Sequence, residues 1–323
     1  MSAATVADTR PDLHTVRQAA VRFGAGPETL RLVNAGVNTV YRAGHLALRL
    51  TNEAQKDFDY LTPPLDWLRH LSSAGASVCE PVAATDGGWI AGLFQRSEPF
   101  LATAVRWIEG PRLSELTPAP GLYLEYGRSI GRLHRASLNF APAPGARHML
   151  EPGESGVFAR WDWLWQRAAA RITGVPVLER AFERLTPDVL AWAAEETVTT
   201  HGDLRPGNVI WDREHGRAVV IDFDEPVLGP AALDLAHAGL ELGAGLELGS
   251  AERSALMAAL LAGYRLEHPL HPVWHERLPR LTTARAALMA AWSVADGHLG
   301  PDSGSRAVVS VPRLLERLEQ DDF

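Results

Sequence analysis

Three side chains that carry oxygen ligands, Asp203, Asn208 and Asp222, lie close together along the chain and flank two apolar runs. The runs 209–211 and 218–221 have a strand-like composition and are joined by a polar turn, which predicts an antiparallel hairpin. Residues equidistant from such a turn face each other, so we expect Asn208 opposite Asp222 at the open end. Asp203 precedes Asn208 in a loop and would lie beside the same end.

The chemistry of these three groups suits a magnesium-dependent phosphoryl transfer. Carboxylate and amide oxygens are hard ligands, and Mg²⁺ is usually held by one or two carboxylates together with phosphate oxygens. Phosphoryl transfer also needs a carboxylate that orients and deprotonates the acceptor hydroxyl. Their positions assign Asn208 and Asp222 as metal ligands and Asp203 as the base. The alternative is an ordinary hairpin in which Asp and Asn residues only shape the turns.

Composition restricts the class of protein. The 323 residues are 46% hydrophobic and 22% charged, which is typical of a globular chain and excludes a disordered one. The net charge of −8 argues against a general nucleic-acid-binding protein, which needs a basic surface. Cys79 is the single cysteine, so intrachain disulfides are excluded and a buried thiol is expected. We find neither a signal peptide nor a bilayer-spanning run, which predicts a cytoplasmic protein without a membrane partner.

The order of predicted elements divides the chain in two. After a helix over 11–23, strand-like runs follow at 30–33, 37–42, 45–50, 82–84, 89–94 and 101–107, with hairpin turns expected at 43–44 and 85–88. A helix over 62–74 interrupts them, opened by Thr62-Pro63-Pro64. Helices then dominate, at 122–136, 158–171, 177–194, 231–246, 251–264, 274–294 and 306–319. The chain is therefore predicted to be α+β, with a β-rich first part and a mainly helical second part.

The chain resembles the aminoglycoside phosphotransferase and choline kinase family in two motifs, His201-Gly202-Asp203-Leu204-Arg205-Pro206-Gly207-Asn208 and Ile221-Asp222-Phe223-Asp224. The resemblance implies a two-lobed, protein-kinase-like fold, with a small β-rich N-lobe (1–107), a hinge near 105–111 and a larger helical C-lobe (108–323). It implies the base at Asp203 and magnesium ligands at Asn208 and Asp222. The segments 131–134 and 233–236 extend it, and Asp234 is expected to brace the catalytic loop.

The same resemblance implies a nucleotide-binding loop that contains Gly36, Asn38 and Thr39. The family's phosphate-pairing lysine would lie on the strand where this chain has Arg49, and arginine keeps the charge and can bind phosphate with two donors. Lys56, the only lysine of the chain, lies beyond that strand in a polar segment. We therefore assign phosphate binding to Arg49, with a solvated strand arginine as the alternative.

The connector between the lobes is expected to meet the adenine ring. The resemblance places the backbone groups of Arg106, Trp107 and Ile108 there. The acidic partner of Arg49 stays open among Asp57, Asp59 and Asp66.

These expectations describe an ATP-dependent phosphotransferase that uses Mg²⁺ and acts on a hydroxyl of a small molecule. Two alternatives stay open: a protein serine/threonine kinase of the same superfamily, although no activation loop follows Asp222, and an inactive nucleotide-binding regulatory module. The acceptor is not identified, since family members act on aminoglycosides, choline, homoserine, sugars and macrolides. Glu241 fits a cationic acceptor, yet such charges usually form a solvated face. The sequence predicts neither antibiotic resistance nor an oligomeric state.

Overall fold

The N-terminal part of the chain is a sheet flanked by two helices. The computed structural model describes residues 10–35, 38–141, 158–244 and 249–295, together with Leu315 and Leu318. Its first elements are α1 (Leu13–Arg22), β1 (Leu30–Ala35), β2 (Thr39–Ala43), β3 (Leu46–Asn52), α2 (Phe58–Ser73), β4 (Pro81–Val82), β5 (Ala91–Gln95) and β6 (Glu98–Arg106). The six strands form one sheet in the order β1-β2-β3-β6-β4, with β5 also paired to β6.

Side chains of β3 point alternately to the N-lobe core and to the cleft between the lobes. Leu46, Leu48 and Leu50 are buried in the core of the N-lobe, whereas Ala47 and Arg49 line a cavity on the other face. Successive side chains of a strand point to opposite faces, so Arg49 must face away from the leucines. The predicted turn between β2 and β3 is confirmed, with Gly44 at a φ of 58° that glycine adopts without strain.

Two expectations for the N-lobe are wrong. The residues around the turn 85–88 do not form a hairpin, because β4 and β5 each pair antiparallel with β6 instead. The second helix begins at Phe58 rather than at Thr62, because Asp57 caps it by accepting a 2.8 Å hydrogen bond from the Tyr60 amide. Pro63 and Pro64 therefore lie inside α2.

The C-terminal part is mainly helical, as predicted. Its elements are α3 (Pro120–Ser137), β7 (Ala159–Arg160), α4 (Trp161–Arg171), α5 (Pro176–Glu195), β8 (Val198–Thr200), β9 (Val209–Asp212), β10 (Arg217–Val220), β11 (Val227–Gly229), α6 (Ala232–Ala244), α7 (Ser250–Glu267) and α8 (Trp274–Ala295). The predicted hairpin is β9–β10. The strands β7 and β11 were not predicted; β11 lies between β7 and β8 in a small sheet. The helix expected at 306–319 lies mostly outside the described residues.

Each lobe has its own apolar core, and α2, which follows the N-lobe strand β3, packs into the core of the C-lobe. Leu46, Leu48 and Phe100 belong to the smaller core, whereas Trp67 and Leu71 of α2 pack into the larger core of the C-lobe. These observations confirm the two-lobed α+β fold, while the boundary at residue 107 stays a prediction. Within the described residues, we find no helix with the length and apolarity needed to cross a bilayer.

Candidate active site

The predicted catalytic loop, which lies between β8 and β9 and carries Asp203 and Asn208, is held by a buried carboxylate. Asp234, at the start of α6, accepts hydrogen bonds from the amides of His201 (2.8 Å) and Gly202 (3.1 Å). Its Oδ2 also lies 2.9 Å from Nε2 of the buried His134. Gly202 has a φ of 80°, and a Cβ there would lie 2.3 Å from the Glu225 carbonyl oxygen, so the loop needs glycine at this position. Asp234 therefore braces the loop, as the resemblance implied.

Asp203 lies at the centre of a set of hydrogen-bond donors. Asn208 Nδ2 donates to Asp203 Oδ2 (2.8 Å) and to the Asp203 carbonyl oxygen (2.9 Å), and Arg205 Nε donates to Oδ2 (3.2 Å). Burial acts to raise the pKa of Asp203, but interactions with His237, Arg205 and Arg285 outweigh burial and lower it below 3.8. The group is therefore a carboxylate at neutral pH and able to accept a proton.

Asp222 lies beside Asn208, although not in the predicted register. Val209 pairs with Val220, and the Ile221 amide donates to the Asn208 carbonyl oxygen (2.9 Å), so Asn208 is level with Ile221 and not with Asp222. Asp222 follows at a φ of 71°, a conformation uncommon for residues other than glycine and characteristic of functional sites.

The oxygen atoms of Asp222 and Asn208 form a set of ligands that fits a divalent cation. Asp222 is exposed in the cavity, and its carboxylate forms no hydrogen bond with any described residue. The Asn208 amide nitrogen is used by Asp203, which leaves Oδ1 of Asn208 as the atom that can face a cation. One carboxylate and one amide oxygen form the hard donor set that Mg²⁺ or Ca²⁺ prefers.

A cavity of about 440 Å³ lies between the lobes and opens beside Asp222. Its apolar lining comes from both lobes and includes Val40, Ala47, Ile210 and Ile221. Among the predicted nucleotide-binding residues, it is lined by Asn38, Arg49, Arg106, Trp107 and Ile108. The structure does not bring Thr39 there: its side chain is buried on the opposite face of β2, because neighbouring strand residues alternate. Gly36 lies outside the described residues.

The connector offers fewer backbone groups than expected. The Arg106 amide donates to the Glu80 carbonyl oxygen and the Trp107 amide to the His45 carbonyl oxygen, each at 2.8 Å. No hydrogen bond from a described residue engages the amide of Ile108. Of the three predicted connector residues, Ile108 is therefore the one whose amide can still meet a ligand in the cavity.

Arg49 and Lys56 of the N-lobe both contact Asp224. Arg49 donates to the two carboxylate oxygens through Nη1 and Nη2, and Lys56 Nζ lies 3.3 Å from Oδ2. Asn38 Nδ2 adds a third donor at 2.8 Å. The sequence places Lys56 in a polar segment beyond β3 and favours Arg49, but the chain after β3 folds back and brings Lys56 to the same carboxylate. Lys56 is 11% exposed, and burial together with the charge of Arg49 lowers its pKa to about 8.

No acidic residue of α2 pairs with Arg49. Asp57 caps the helix, Asp66 pairs with Arg69, and the residues of α2 that line the cavity are Tyr60, Leu61, Pro64, Leu65 and Leu68. The acidic partner of Arg49 is instead Asp224, which belongs to the C-lobe. Two sequence features could have indicated this contact: Lys56 is the single lysine of the chain, and Asp224 is a second aspartate in the motif Ile221-Asp222-Phe223-Asp224.

For Glu241 the sequence left two interpretations open, a cationic acceptor and a solvated face, and the structure buries its side chain on α6 at 4% exposure. Burial raises the pKa of Glu241 to about 7; the Asp203 charge acts in the same direction and the Arg205 charge opposes it. Glu241 in turn raises the pKa of Tyr123 on α3, although less than burial does. A buried carboxylate thus lies near the catalytic loop on the C-lobe side.

The comparisons with known proteins agree with this geometry. A family model of the phosphotransferase enzyme family (APH) matches residues 24–279. Amicoumacin kinase of Bacillus subtilis (strain 168) is 24% identical over 220 residues, which span 64% of this chain and 61% of that protein. The chain thus spans less than two thirds of the length of this relative.

Solved structures with the same fold cover nearly the whole chain. The amicoumacin kinase hAmiN, in complex with AMP-PNP, Ca²⁺ and Ami, has a TM-score of 0.76 at 19% identity and covers 97% of this chain and 94% of its own. A microcompartment-associated aminopropanol kinase has a TM-score of 0.70 at 21% identity, covering 95% and 94%. Because the family model spans most of the sequence, this chain belongs to the phosphotransferase enzyme family.

Proposed function

We propose that this protein transfers the γ-phosphoryl group of ATP to a hydroxyl group of a small molecule. The observation that carries the proposal is the grouping of Asp203, Asn208 and Asp222 at the mouth of an interlobe cavity. The hAmiN structure holds AMP-PNP and Ca²⁺, which supports a nucleotide and a divalent cation for a chain of the same fold.

Each residue has a distinct role in the proposed reaction. Asp203 accepts the proton of the acceptor hydroxyl while the hydroxyl oxygen forms a bond to the γ-phosphorus. The bond from that phosphorus to the β–γ bridging oxygen breaks, and ADP leaves. Arg49 and Lys56 bind the phosphate oxygens in place of Asp224. The apolar lining of the cavity receives the adenine ring, with the Ile108 amide as a hydrogen-bond donor.

Asn208 Oδ1 and the Asp222 carboxylate would hold the divalent cation. Bound there, the cation would supply positive charge that neutralises the negative charge developing on the transferred phosphoryl group. Asn208 also holds Asp203 through its amide nitrogen, so one side chain would connect the metal site to the base.

We infer that the acceptor carries an amino group as well as a hydroxyl. The buried Glu241 lies near Asp203 and Arg205, and a cationic acceptor would offset its charge. Aminopropanol kinase and spectinomycin phosphotransferase APH(9)-Ia are among the proteins of the same fold, which supports an amine.

The test is ADP release with a panel of amino alcohols and neutral alcohols. Wild-type protein should release ADP with amino alcohols when Mg²⁺ is present, and Asp203→Asn should lower kcat by about 10³-fold or more while ATP still binds. Asp188→Asn, in a partly exposed ion pair with Arg280, is the matched control and should keep the wild-type rate.

An Asp203→Asn protein that turns over at the wild-type rate would contradict the proposal. ATP binding by the wild-type protein without turnover on any acceptor would instead favour the regulatory module.

A further inference from the structure

A buried histidine of α6 approaches Asp203 from the side opposite Asn208. His237 is 1% exposed and lies three residues after Asp234. Its Nε2 lies 3.6 Å from Asp203 Oδ1 and has no hydrogen-bond partner among the described residues. A buried nitrogen without a partner costs stability, so its position beside a carboxylate oxygen needs an explanation.

Arg285 of α8 determines which nitrogen of His237 carries the proton. Its Nη2 lies 3.3 Å from His237 Nδ1 and also donates to the Gly202 carbonyl oxygen. A guanidinium has donors only, so Nδ1 must accept and the proton of a neutral imidazole must be on Nε2. Burial, together with the charge of Arg285, lowers the pKa of His237 to about 3, so the ring is neutral at neutral pH.

The two oxygens of Asp203 have different surroundings. Oδ2 accepts hydrogen bonds from Asn208 and Arg205, whereas Oδ1 faces the His237 Nε2–H. The separation of 3.6 Å is longer than a hydrogen bond, and a small rotation of the Asp203 carboxylate would close it. Contacts of this kind are often long without substrate and shorten when substrate binds.

We propose that Arg285 and His237 form a positioning pair for the catalytic base: Arg285 fixes the Nε2–H tautomer of His237, which then orients Asp203 Oδ1 toward the acceptor hydroxyl. The inference rests on the proposed function. It assigns a role to two residues of the C-lobe helices that neither contact the nucleotide cavity nor belong to the catalytic loop.

The tautomer can be measured without any assay of activity. In ¹⁵N-histidine-labelled protein, the His237 signals are assigned among the 12 histidines by their loss in His237→Gln. Two-bond ¹H–¹⁵N spectra at neutral pH should show a protonated Nε2 and an unprotonated Nδ1. Arg285→Met should abolish this preference, while Arg280→Met, an arginine on the same helix paired with Asp188, should leave it unchanged. A charged ring, or a proton on Nδ1 in the wild-type protein, overturns the inference whether or not the protein is a kinase.

Kinetics of two amide variants test the orientation of Asp203. Glutamine places its amide nitrogen near the position of Nε2, whereas the shorter asparagine places its amide near Nδ1, where its oxygen can accept from Arg285 but no donor reaches Asp203. His237→Asn and Arg285→Met should lower kcat by about 10- to 100-fold with an unchanged KM for ATP, since small displacements of a base cost this much. His237→Gln should keep most of the wild-type kcat, and His70→Gln, a partly buried histidine of α2 bonded to the Ala136 carbonyl oxygen, is the control.

Equal kcat values in wild type, His237→Asn and His237→Gln would contradict the positioning role. So would a loss in His237→Gln as large as that in His237→Asn, because that pattern indicates packing alone. Thermal unfolding of each variant separates these losses from incomplete folding. Turnover by the wild-type protein in the same assay tests the proposed function separately from the positioning role.

Discussion

Single charged side chains at this site differ from their usual behaviour because the surrounding protein excludes water from them. Glu241 has a pKa raised to about 7 and Lys56 a pKa lowered to about 8, in each case mainly by burial. Both shifts favour the neutral form, so each group is held in a charged state only at a cost in stability. A bound ligand of opposite charge would offset that cost, which is the behaviour expected of binding residues.

The substitution Glu241→Gln should raise stability while it weakens acceptor binding. The pKa in the folded state, about 7, exceeds the ordinary 4.5, so the stability of the wild-type protein falls as pH rises from about 4.5 through 7. The variant should be more stable by about 1–3 kcal/mol at pH 8 and nearly equal to wild type at pH 4. Denaturant unfolding at both values measures this.

The KM of the acceptor is a second measurement that tests the role of Glu241. The KM of an amino alcohol should rise in the wild-type protein as pH falls below about 7, because Glu241 becomes neutral. The variant should have a raised KM with little pH dependence. A variant with unchanged stability at pH 8 and unchanged KM would contradict the assignment.

At the scale of elements, the catalytic loop depends on how closely α3 and α7 approach each other. A Cβ at Gly127 would lie 1.9 Å from the Leu260 carbonyl oxygen, and a Cβ at Gly263 would lie 1.9 Å from the Leu124 carbonyl oxygen. The two backbones are therefore in direct contact. This contact brings the hydroxyl oxygen of Tyr264 of α7 to 3.0 Å from Nδ1 of His134. His134 is the residue of α3 that contacts Asp234.

The substitution Gly263→Ala should separate the two helices. Because the clash is with backbone, it cannot be relieved by a rotamer change, and we expect a loss of about 2–3 kcal/mol in the free energy of unfolding. Gly121→Ala is the matched control: Gly121 lies in the first turn of α3, and an added Cβ there meets no atom within 4 Å. Equal unfolding midpoints for the two variants would contradict the predicted close approach.

At the scale of the whole molecule, the two lobes are joined by a polar cluster in addition to α2. Asp224, which follows the C-lobe hairpin, is bonded to Arg49, Lys56 and Asn38 of the N-lobe. The same two cations are the phosphate-binding groups of the proposed reaction. The carboxylate of Asp224 therefore neutralises them when the phosphates of a nucleotide do not.

The substitution Asp224→Asn should make stability depend more strongly on ATP. Without the carboxylate, Arg49 and Lys56 repel each other, and the nucleotide-free protein should lose about 3 kcal/mol. ATP restores negative charge between them, so the ATP-induced rise in melting temperature should exceed that of wild type. Asp86→Asn, which removes an exposed ion pair with Arg22 of α1 away from the cavity, is the control. An ATP-induced rise equal to that of wild type would argue against phosphate binding by this cluster.

Local patterns were sufficient for much of the fold and for part of the site. Turn residues and apolar runs predicted the β2–β3 and β9–β10 hairpins, and the catalytic-loop motif brought Asp203 and Asn208 together. These features depend on residues close in sequence, whose geometry is limited by turn type and strand alternation. The hairpin register was nevertheless one residue off, because the position of the turn does not by itself determine the last pair.

The partners of the charged groups were decided by tertiary structure alone. Lys56 meets Asp224, and Arg285 meets His237, only because the lobes and the helices pack as they do. These pairs are separated by 168 and 48 residues, so no turn or periodicity relates them. Burial, which sets the pKa values of Lys56 and Glu241, likewise exists only once distant elements exclude water together. The sequence by itself determined the class of chemistry, and packing decided which side chains hold the reacting groups.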